Sequence, residues 1–565
     1  MQIKPKLNTI IKDALNKLDI DKKEVSVSEA TKPEFGDFQY NGAMALAKEL
    51  KKNPRQIAGD IANELQNNEL FSKVEVAGPG FINLTINKSF LEESLPLALD
   101  SRCAVSKKEE PVKVVVDYSS PNMAKQMHVG HLRSTIIGDT IANLFEFLGD
   151  EVIRQNHIGD WGTQFGMLVA YFEEVGANKD AKLSDLEQFY KEAKARFDES
   201  EEFAKKSRAN VVKLQSGNED TLKLWKSFVE KSLEHCQEIY NSLNVKLDKS
   251  SVRGESFYND YLEDIVKSLE EKSIAKISQG AKCVFFEDSE NPLIIQKADG
   301  GYLYATTDLA AIKFRVQELG AKRVSYVVDA RQAEHFKQVF KTARDAGFVG
   351  DDVILEHIAF GMMLDKSGRP FKTRDGGTVK LIDLIDEAIN RAKSVINKAN
   401  EYSEDELEEI ARVIGIGSLK YADLSINRTS NYIFDWDKML SLDGNTALYM
   451  QYAYARINSI LNRAGKINED VSLKFSDELE RKLALKVLSL EDTLNRAYKE
   501  AMPHLITNYL YELASMFMKF YEQNPILKEG VEPEQRDTRL ILAKTTANAI
   551  KLSLNILGIE VLERI

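Results

Sequence analysis

At 565 residues, with 43% hydrophobic and 29% charged side chains, the chain is too long for one core and reads as several globular domains. A net charge of −12 argues against a protein that coats nucleic acid non-specifically, although local basic strips can still steer RNA. No uncharged apolar run reaches the roughly 18–20 residues of a membrane helix, and three scattered cysteines, Cys103, Cys236 and Cys283, make neither a disulfide framework nor a structural zinc site.

The first segment, residues 1–108, reads as an α+β domain. Met1 to Leu18 is a lysine-rich amphipathic pattern without a signal-peptide core, so the expected location is the cytosol. Ile3–Leu18 and Pro54–Leu65 have helical periodicity, while Val74–Val76 and Phe81–Leu84 read as strands around the turn Gly78-Pro79-Gly80. Between them, Phe35-Gly36-Asp37-Phe38-Gln39-Tyr40-Asn41 is an aromatic-rich loop whose rings can either stack on bases or pack in a core.

An α/β pattern begins at the strand-like run Val112–Tyr118. A loop, Ser119 to Met127, leads into His128-Val129-Gly130-His131, which opens a helix with Leu132, Ile136, Leu144 and Leu148 on one stripe. Gly149-Asp150 ends that helix and a second strand starts at Glu151-Val152-Ile153. A helix start at the carboxyl edge of an open α/β sheet presents unpaired N–H groups and partial positive charge to a phosphate. His128 and His131, three apart, share a face and can both donate there; Gly130 leaves room where an adenine ring would approach. Alone, the tetrapeptide also suits an ordinary first helical turn.

From about Tyr171 to Val252 the α/β pattern is interrupted by lysine- and glutamate-rich helical sequence, which reads as an insertion. Strand-like runs return at Cys283–Phe286, Leu293–Ile295, Gly301–Ala305, Val324–Val328 and Val353–Phe360. Beyond Leu381 the pattern is helical, with Ile506, Leu510, Leu513, Phe517 and Phe520 forming one stripe. The fold class expected is multidomain: a Rossmann-like doubly wound parallel-sheet catalytic domain over 109–380 with its insertion, the N-terminal α+β domain, and a C-terminal all-α helical bundle over 381–565.

Several separated pieces, in this order, resemble the class I aminoacyl-tRNA synthetases and, within them, the arginyl-tRNA synthetases of bacterial type. They are Ser120-Pro121-Asn122-Met123-Ala124-Lys125 with the HxGH stretch, Gly159 to Gly166, Tyr304-Ala305-Thr306-Thr307-Asp308, Asp329 to Phe336, Gly361 to Leu364, Phe371-Lys372-Thr373-Arg374, and Tyr449 to Arg456. The resemblance implies ATP-dependent activation of L-arginine to an adenylate, then transfer to the 3′ end of tRNA(Arg). It brings ATP as substrate with Mg²⁺ accompanying the nucleotide, no tightly bound cofactor and no protein metal site. The partners implied are tRNA(Arg), L-arginine and ATP, with no membrane and a monomeric chain in the cytoplasm.

The resemblance also distributes roles. His128, His131, Lys125 and Arg374 would be catalytic, and with Gly130 and Lys372 would hold ATP. The usual KMSKS loop is missing: Arg374 stands where its second lysine would be, and Lys125, just before the histidines, would compensate. Arginine would be held by Asp117, Ser119, Asn122, Tyr304, Asp308 and Gln332, with Tyr304 and Asp308 four apart at the start of a helix and sharing a face. Asp117 sits where some relatives have glutamate. Trp161 is either a pocket wall or a core aromatic. Phe35, Phe38 and Asn41 would meet the outer corner of tRNA; Tyr449, Tyr452 and Arg456, spaced by three and four, would meet anticodon bases. Ile565 ends the chain where relatives often have methionine.

Overall fold

The structure is a computed structural model that describes residues 2–175, 186–371, 379–396 and 402–565. Its first segment is an antiparallel four-stranded sheet in the order Val27–Glu29, Phe38–Tyr40, Phe81–Ile86, Phe71–Ala77. Helix Ile3–Lys17 buries Ile3, Leu7, Ile11, Ala14 and Leu15, one stripe at helical spacing. Helix Pro54–Leu65 starts where the Asn53 side chain accepts from the Arg55 N–H and proline takes the first turn. The expected hairpin forms, pairing Ala77 with Phe81. Gly80 is required at its turn: φ is +138° and a Cβ would lie 2.9 Å from the Pro54 carbonyl oxygen.

The second segment carries a parallel sheet in the order Ile354–His357, Arg323–Tyr326, Lys113–Asp117, Glu151–Gln155. The chain leaves Lys113–Asp117, forms the helix Val129–Leu148 and returns to Glu151–Gln155 on one side; the later strands join on the other. Connections that diverge from one strand open a crevice at the carboxyl edge, where α/β sheets bind ligands. Asp117, Gln155, Tyr326 and His357 lie in register along that edge.

Two expectations from sequence are corrected here. The runs at 283–286 and 293–295 do not join the parallel sheet; with Ala275–Ser278 they form a separate antiparallel sheet, Ala281–Val284 and Leu293–Gln296 being its other strands. Short apolar runs do not say which sheet they enter, because the hydrogen-bonding partner is remote in sequence. The strand expected at Gly301–Ala305 does not form either: helix Tyr304–Lys313 takes its last two residues, and Tyr302 keeps only an isolated bridge to Gln296.

The insertion is helical, with Leu186–Glu199, Glu201–Gln215 and Glu219–Ser242 among its described elements. It props the active loop: Tyr240 meets the Ser119 hydroxyl at 2.8 Å and accepts from Asn156. Beyond Leu381 the helices Leu381–Val395, Glu404–Leu424, Ala447–Ala464, Glu478–Leu488, Leu490–Glu500, His504–Gln523 and Pro533–Ile556 dominate. Buried polar ties join them to the rest. Arg133 on the helix after the histidines donates to Asp423 at 2.9 Å. Arg481 donates to Asp37 of the N-terminal segment at 2.8 and 2.9 Å. Such pairs hold a unique docking geometry, because a buried charge without its partner is costly.

Candidate active site at the sheet's carboxyl edge

The loop between strand Lys113–Asp117 and the helix contains three non-glycine residues in the left-handed region: Ser119 (φ 73°), Ser120 (φ 46°) and Ala124 (φ 68°). Each would cost about 1–3 kcal/mol unless the surroundings fix it. Each has its backbone N–H held by a side chain from elsewhere: Ser119 by Ser134 Oγ (2.9 Å), Ser120 by Asn156 Oδ1 (3.0 Å) and Ala124 by Ser232 Oγ (2.9 Å). The loop is therefore pre-shaped by the helix it opens, by the neighbouring strand end and by the insertion.

At the end of the loop the two histidines form a capping box. His128 is the N-cap and its Nδ1 accepts from the Gly130 N–H at 3.1 Å, while His131 Nδ1 accepts from the His128 N–H at 3.1 Å. With Nδ1 used as acceptor, the neutral ring carries its proton on Nε2 and keeps that donor free for a ligand. Both rings are held neutral. Burial, then the neighbouring His128, pushes His131 down to about 4; burial, then Lys125, lowers His128. The rings lie 4.1 Å apart. A Cβ at Gly130 would stand 2.8 Å from the His128 ring, so glycine lets the cap close on its own turn.

The other end of the crevice is acidic. Asp308 receives His335 Nε2 at 2.5 Å. Asp160 is buried and held by the Ser256 N–H (2.9 Å) and hydroxyl (2.6 Å). Gly254 packs so closely on Asp160 that a Cβ would fall 2.3 Å from Oδ2. That contact brings Glu255 into the corner. Burial, followed by repulsion from Asp160 and Asp308, pushes its carboxyl up to about 8. Among the described residues none donates to it or pairs with it. Three carboxyl groups crowd together here, and among the described residues no lysine or arginine pairs with any of them, an arrangement that favours an added cation.

The residues expected to hold arginine separate on this geometry. Tyr304 is 69% exposed and Asp308 follows one turn later on helix Tyr304–Lys313; Gln332 and Asn122 are exposed nearby on the edge loops. Asn122 also packs on Gly159, where a Cβ would meet its Oδ1 at 2.3 Å. Asp117 does not fit: Arg315 Nη2 lies 2.8 Å from its Oδ2 and both are buried, so its charge is already neutralised inside the protein. Arg315 also donates to Gln155. Ser119 is withdrawn too, its buried hydroxyl bonded to Tyr240 and Thr135. Sequence reasoning missed Glu255, Arg315 and Tyr240; only Gly254 beside Glu255 hints at a close approach. Lys125 is exposed, with its Nζ 5.4 Å from the Tyr190 ring. Lys372 and Arg374 lie outside the described residues.

Among the residues expected to meet tRNA, Phe38 is 2% exposed in the N-terminal core, which corrects its assignment; its inward position follows from strand alternation with buried Tyr40. Phe35 is half-buried beneath Lys32 and Asn41 is exposed. In the C-terminal helices, Tyr452 and Arg456 line an open cavity of about 860 Å³ with Tyr402, Tyr521, Arg564 and Ile565. Arg456 donates to the Tyr452 hydroxyl at 2.8 Å and lies over the Tyr521 ring. Tyr449 turns instead toward Tyr511, edge to face at 6.0 Å. Trp161 is half-buried and meets Trp225 edge-on at 5.5 Å.

Three family models match the chain: the catalytic domain of class I (R) tRNA synthetases over residues 95–436, the N-terminal domain of arginyl-tRNA synthetase over 5–86, and the DALR anticodon-binding domain over 450–565. An arginine–tRNA ligase of Cellvibrio japonicus is 52% identical over 551 residues, 95% of each chain. One from Alteromonas mediterranea is 50% identical over 98% of each. The crystal structure of arginyl-tRNA synthetase from Plasmodium falciparum superposes with a TM-score of 0.88 at 33% identity, covering 100% of both chains.

Proposed function

Since the chain belongs to the class I arginyl-tRNA synthetases, we propose that it is an arginine–tRNA ligase: it condenses L-arginine with ATP to arginyl-adenylate and pyrophosphate, then transfers the arginyl group to the 3′ end of tRNA(Arg). The work divides over segments 1–108 for the outer corner of tRNA, 109–380 for chemistry and 381–565 for the anticodon.

The arginine carboxylate attacks the α-phosphorus of ATP, and negative charge grows on the phosphate oxygens as pyrophosphate leaves. Neutral His128 and His131 point Nε2–H donors at that charge from a helix N-terminus, and Gly130 keeps their turn tight. Lys125 neutralises the departing pyrophosphate in place of the usual loop lysine, with Lys372 and Arg374 assigned by resemblance to the opposite side. The guanidinium enters the acidic corner, where Asp308 and Glu255 accept from it, Tyr304 covers it, and Asn122 and Gln332 hold the amino-acid end. A citrulline or lysine side chain would leave those acceptors unpaired, which can discriminate by about 10⁴.

The observation that carries this reading is the crowding of Asp160, Glu255 and Asp308 in one corner of the crevice that holds the histidine cap, with no lysine or arginine paired to any of them among the described residues. Among the described residues no cluster of carboxylates, histidines or cysteines is arranged to hold a metal ion; Mg²⁺ in this reading travels with the phosphates of ATP. Tyr452 and Arg456, which line the open cavity, meet anticodon bases, with Tyr449 packed on Tyr511 one turn before Tyr452, while Phe35 and Asn41 face the tRNA corner. One copy carries every part, so the working unit is a monomer, and its place is the cytoplasm with the translation machinery. Among the described residues no helix is long and apolar enough to cross a membrane. Pyrophosphate–ATP exchange is the test: exchange driven by arginine and not by lysine or citrulline is expected, and no exchange with or without tRNA refutes the ligase reading.

A further inference from the structure

Lys125 directly follows the left-handed loop residue Ala124 and, among the described residues, forms no ion pair. Its ammonium lies over the face of Tyr190, 5.4 Å from the ring centre. Tyr190 belongs to helix Leu186–Glu199 of the insertion. Three residues earlier, on the same face of that helix, Glu187 accepts a charged hydrogen bond from Lys380 at 2.5 Å. Lys380 is not remote from the histidines. It forms an antiparallel bridge with His128, the Val129 N–H donates to the Val379 carbonyl at 3.0 Å, and the Leu381 N–H donates to the Met127 carbonyl at 3.0 Å. One helix face of the insertion thus grips both strands of chain that flank the histidine cap, one through a ring and one through a carboxylate.

We propose that Tyr190 and Glu187 are positioning residues for activation: the Tyr190 ring face holds the Lys125 ammonium at the mouth of the helix N-terminus, and Glu187 fixes the paired segment at Lys380 against which the loop is built. This rests on the role given to Lys125 above. The physical reason is entropy. A lysine side chain at an exposed loop samples many rotamers, and an aromatic face narrows them without neutralising the charge, as a carboxylate would. Glu187, by contrast, pairs with Lys380 on the segment bridged to His128; burial raises its carboxyl, but Lys191 and Lys380 outweigh that and hold it below the usual range.

The test is single-turnover adenylate formation in the full chain for Tyr190→Leu, Tyr190→Phe and Lys125→Ala, and for Tyr190→Leu combined with Lys125→Ala. Tyr190→Leu is expected to slow activation about 2- to 5-fold, the size of an exposed cation–π contact, with tRNA affinity and melting temperature unchanged. Tyr190→Phe keeps the ring face and should restore the rate. In the Lys125→Ala background, Tyr190→Leu should add nothing. A full-rate Tyr190→Leu chain, or an equal loss with and without Lys125, overturns the positioning role. A full-rate Lys125→Ala chain instead sinks the phosphate role of Lys125 itself, a distinguishable failure. Glu187→Gln should raise the ATP KM several-fold at an unchanged arginine KM; equal shifts in both would reduce it to a structural tie.

Discussion

The two ends of the crevice are made in opposite ways. The histidine end comes from seven consecutive residues, Lys125 to His131, whose cap bonds all close within three positions. The acidic end is assembled from Asp160, Glu255, Asp308 and His335, four separate stretches of chain spanning almost two hundred residues. Donors for a phosphate can be supplied by a single helix start, because the N–H groups there are aligned by the helix itself. Acceptors for a cation must be crowded together against their own repulsion, and only tertiary packing does that.

The sharpest way to break the comparison is Asp117, a carboxylate on the same edge that is already paired. Asp117→Asn should strand the buried Arg315 and lower stability by about 3–5 kcal/mol, read as urea unfolding, while the arginine KM of the remaining folded enzyme stays near its starting value; an arginine KM effect as large as that of Asp308 would return Asp117 to the substrate. His131→Ala should lower the rate of adenylate formation by about 10²–10³-fold, the value of one pre-aligned donor to developing charge, with arginine affinity retained. Its neutral state has a pH signature of its own. The folded pKa near 4 lies below the unfolded 6.5, so its contribution to stability is complete above pH 6.5 and fades as pH falls toward 4; thermal melts of His131→Asn against the parent should converge at the acid end.

Asp308→Ala should raise the arginine KM by about 100-fold and the ATP KM little, since a charge-assisted bond to substrate contributes about 1.5–3 kcal/mol. Glu255→Gln should act more mildly and through pH. In the free chain its carboxyl ionises only near pH 8, so arginine affinity of the parent should improve from pH 7 to 9 relative to the Gln chain, by about tenfold. Parallel profiles for the two chains would remove Glu255 from the corner.

The local end was legible in advance. Helix spacing, the Gly149 stop and the His128-Val129-Gly130-His131 turn located the helix start, although the sequence did not reveal that each histidine caps the turn through Nδ1. For the N-terminal segment, alternation located both strands of the Gly78–Gly80 hairpin, while the composition of Phe35–Asn41 left base stacking and core packing both open until Phe38 proved buried on an inner strand of the sheet. In the C-terminal helices, spacing by three and four put Tyr449, Tyr452 and Arg456 on one face; packing then turned Tyr449 to Tyr511 and left the other two in the open cavity.

By itself the sequence determined the order of the main helices and strands and which residues share a helical face, because those depend on propensity and spacing alone. Tertiary structure decided which carboxylates remain without a cation. Asp117 and Asp308 look alike in sequence; one meets Arg315 and the other meets His335 beside Glu255, and that choice of partner across the fold separates a structural charge from one that can receive a substrate.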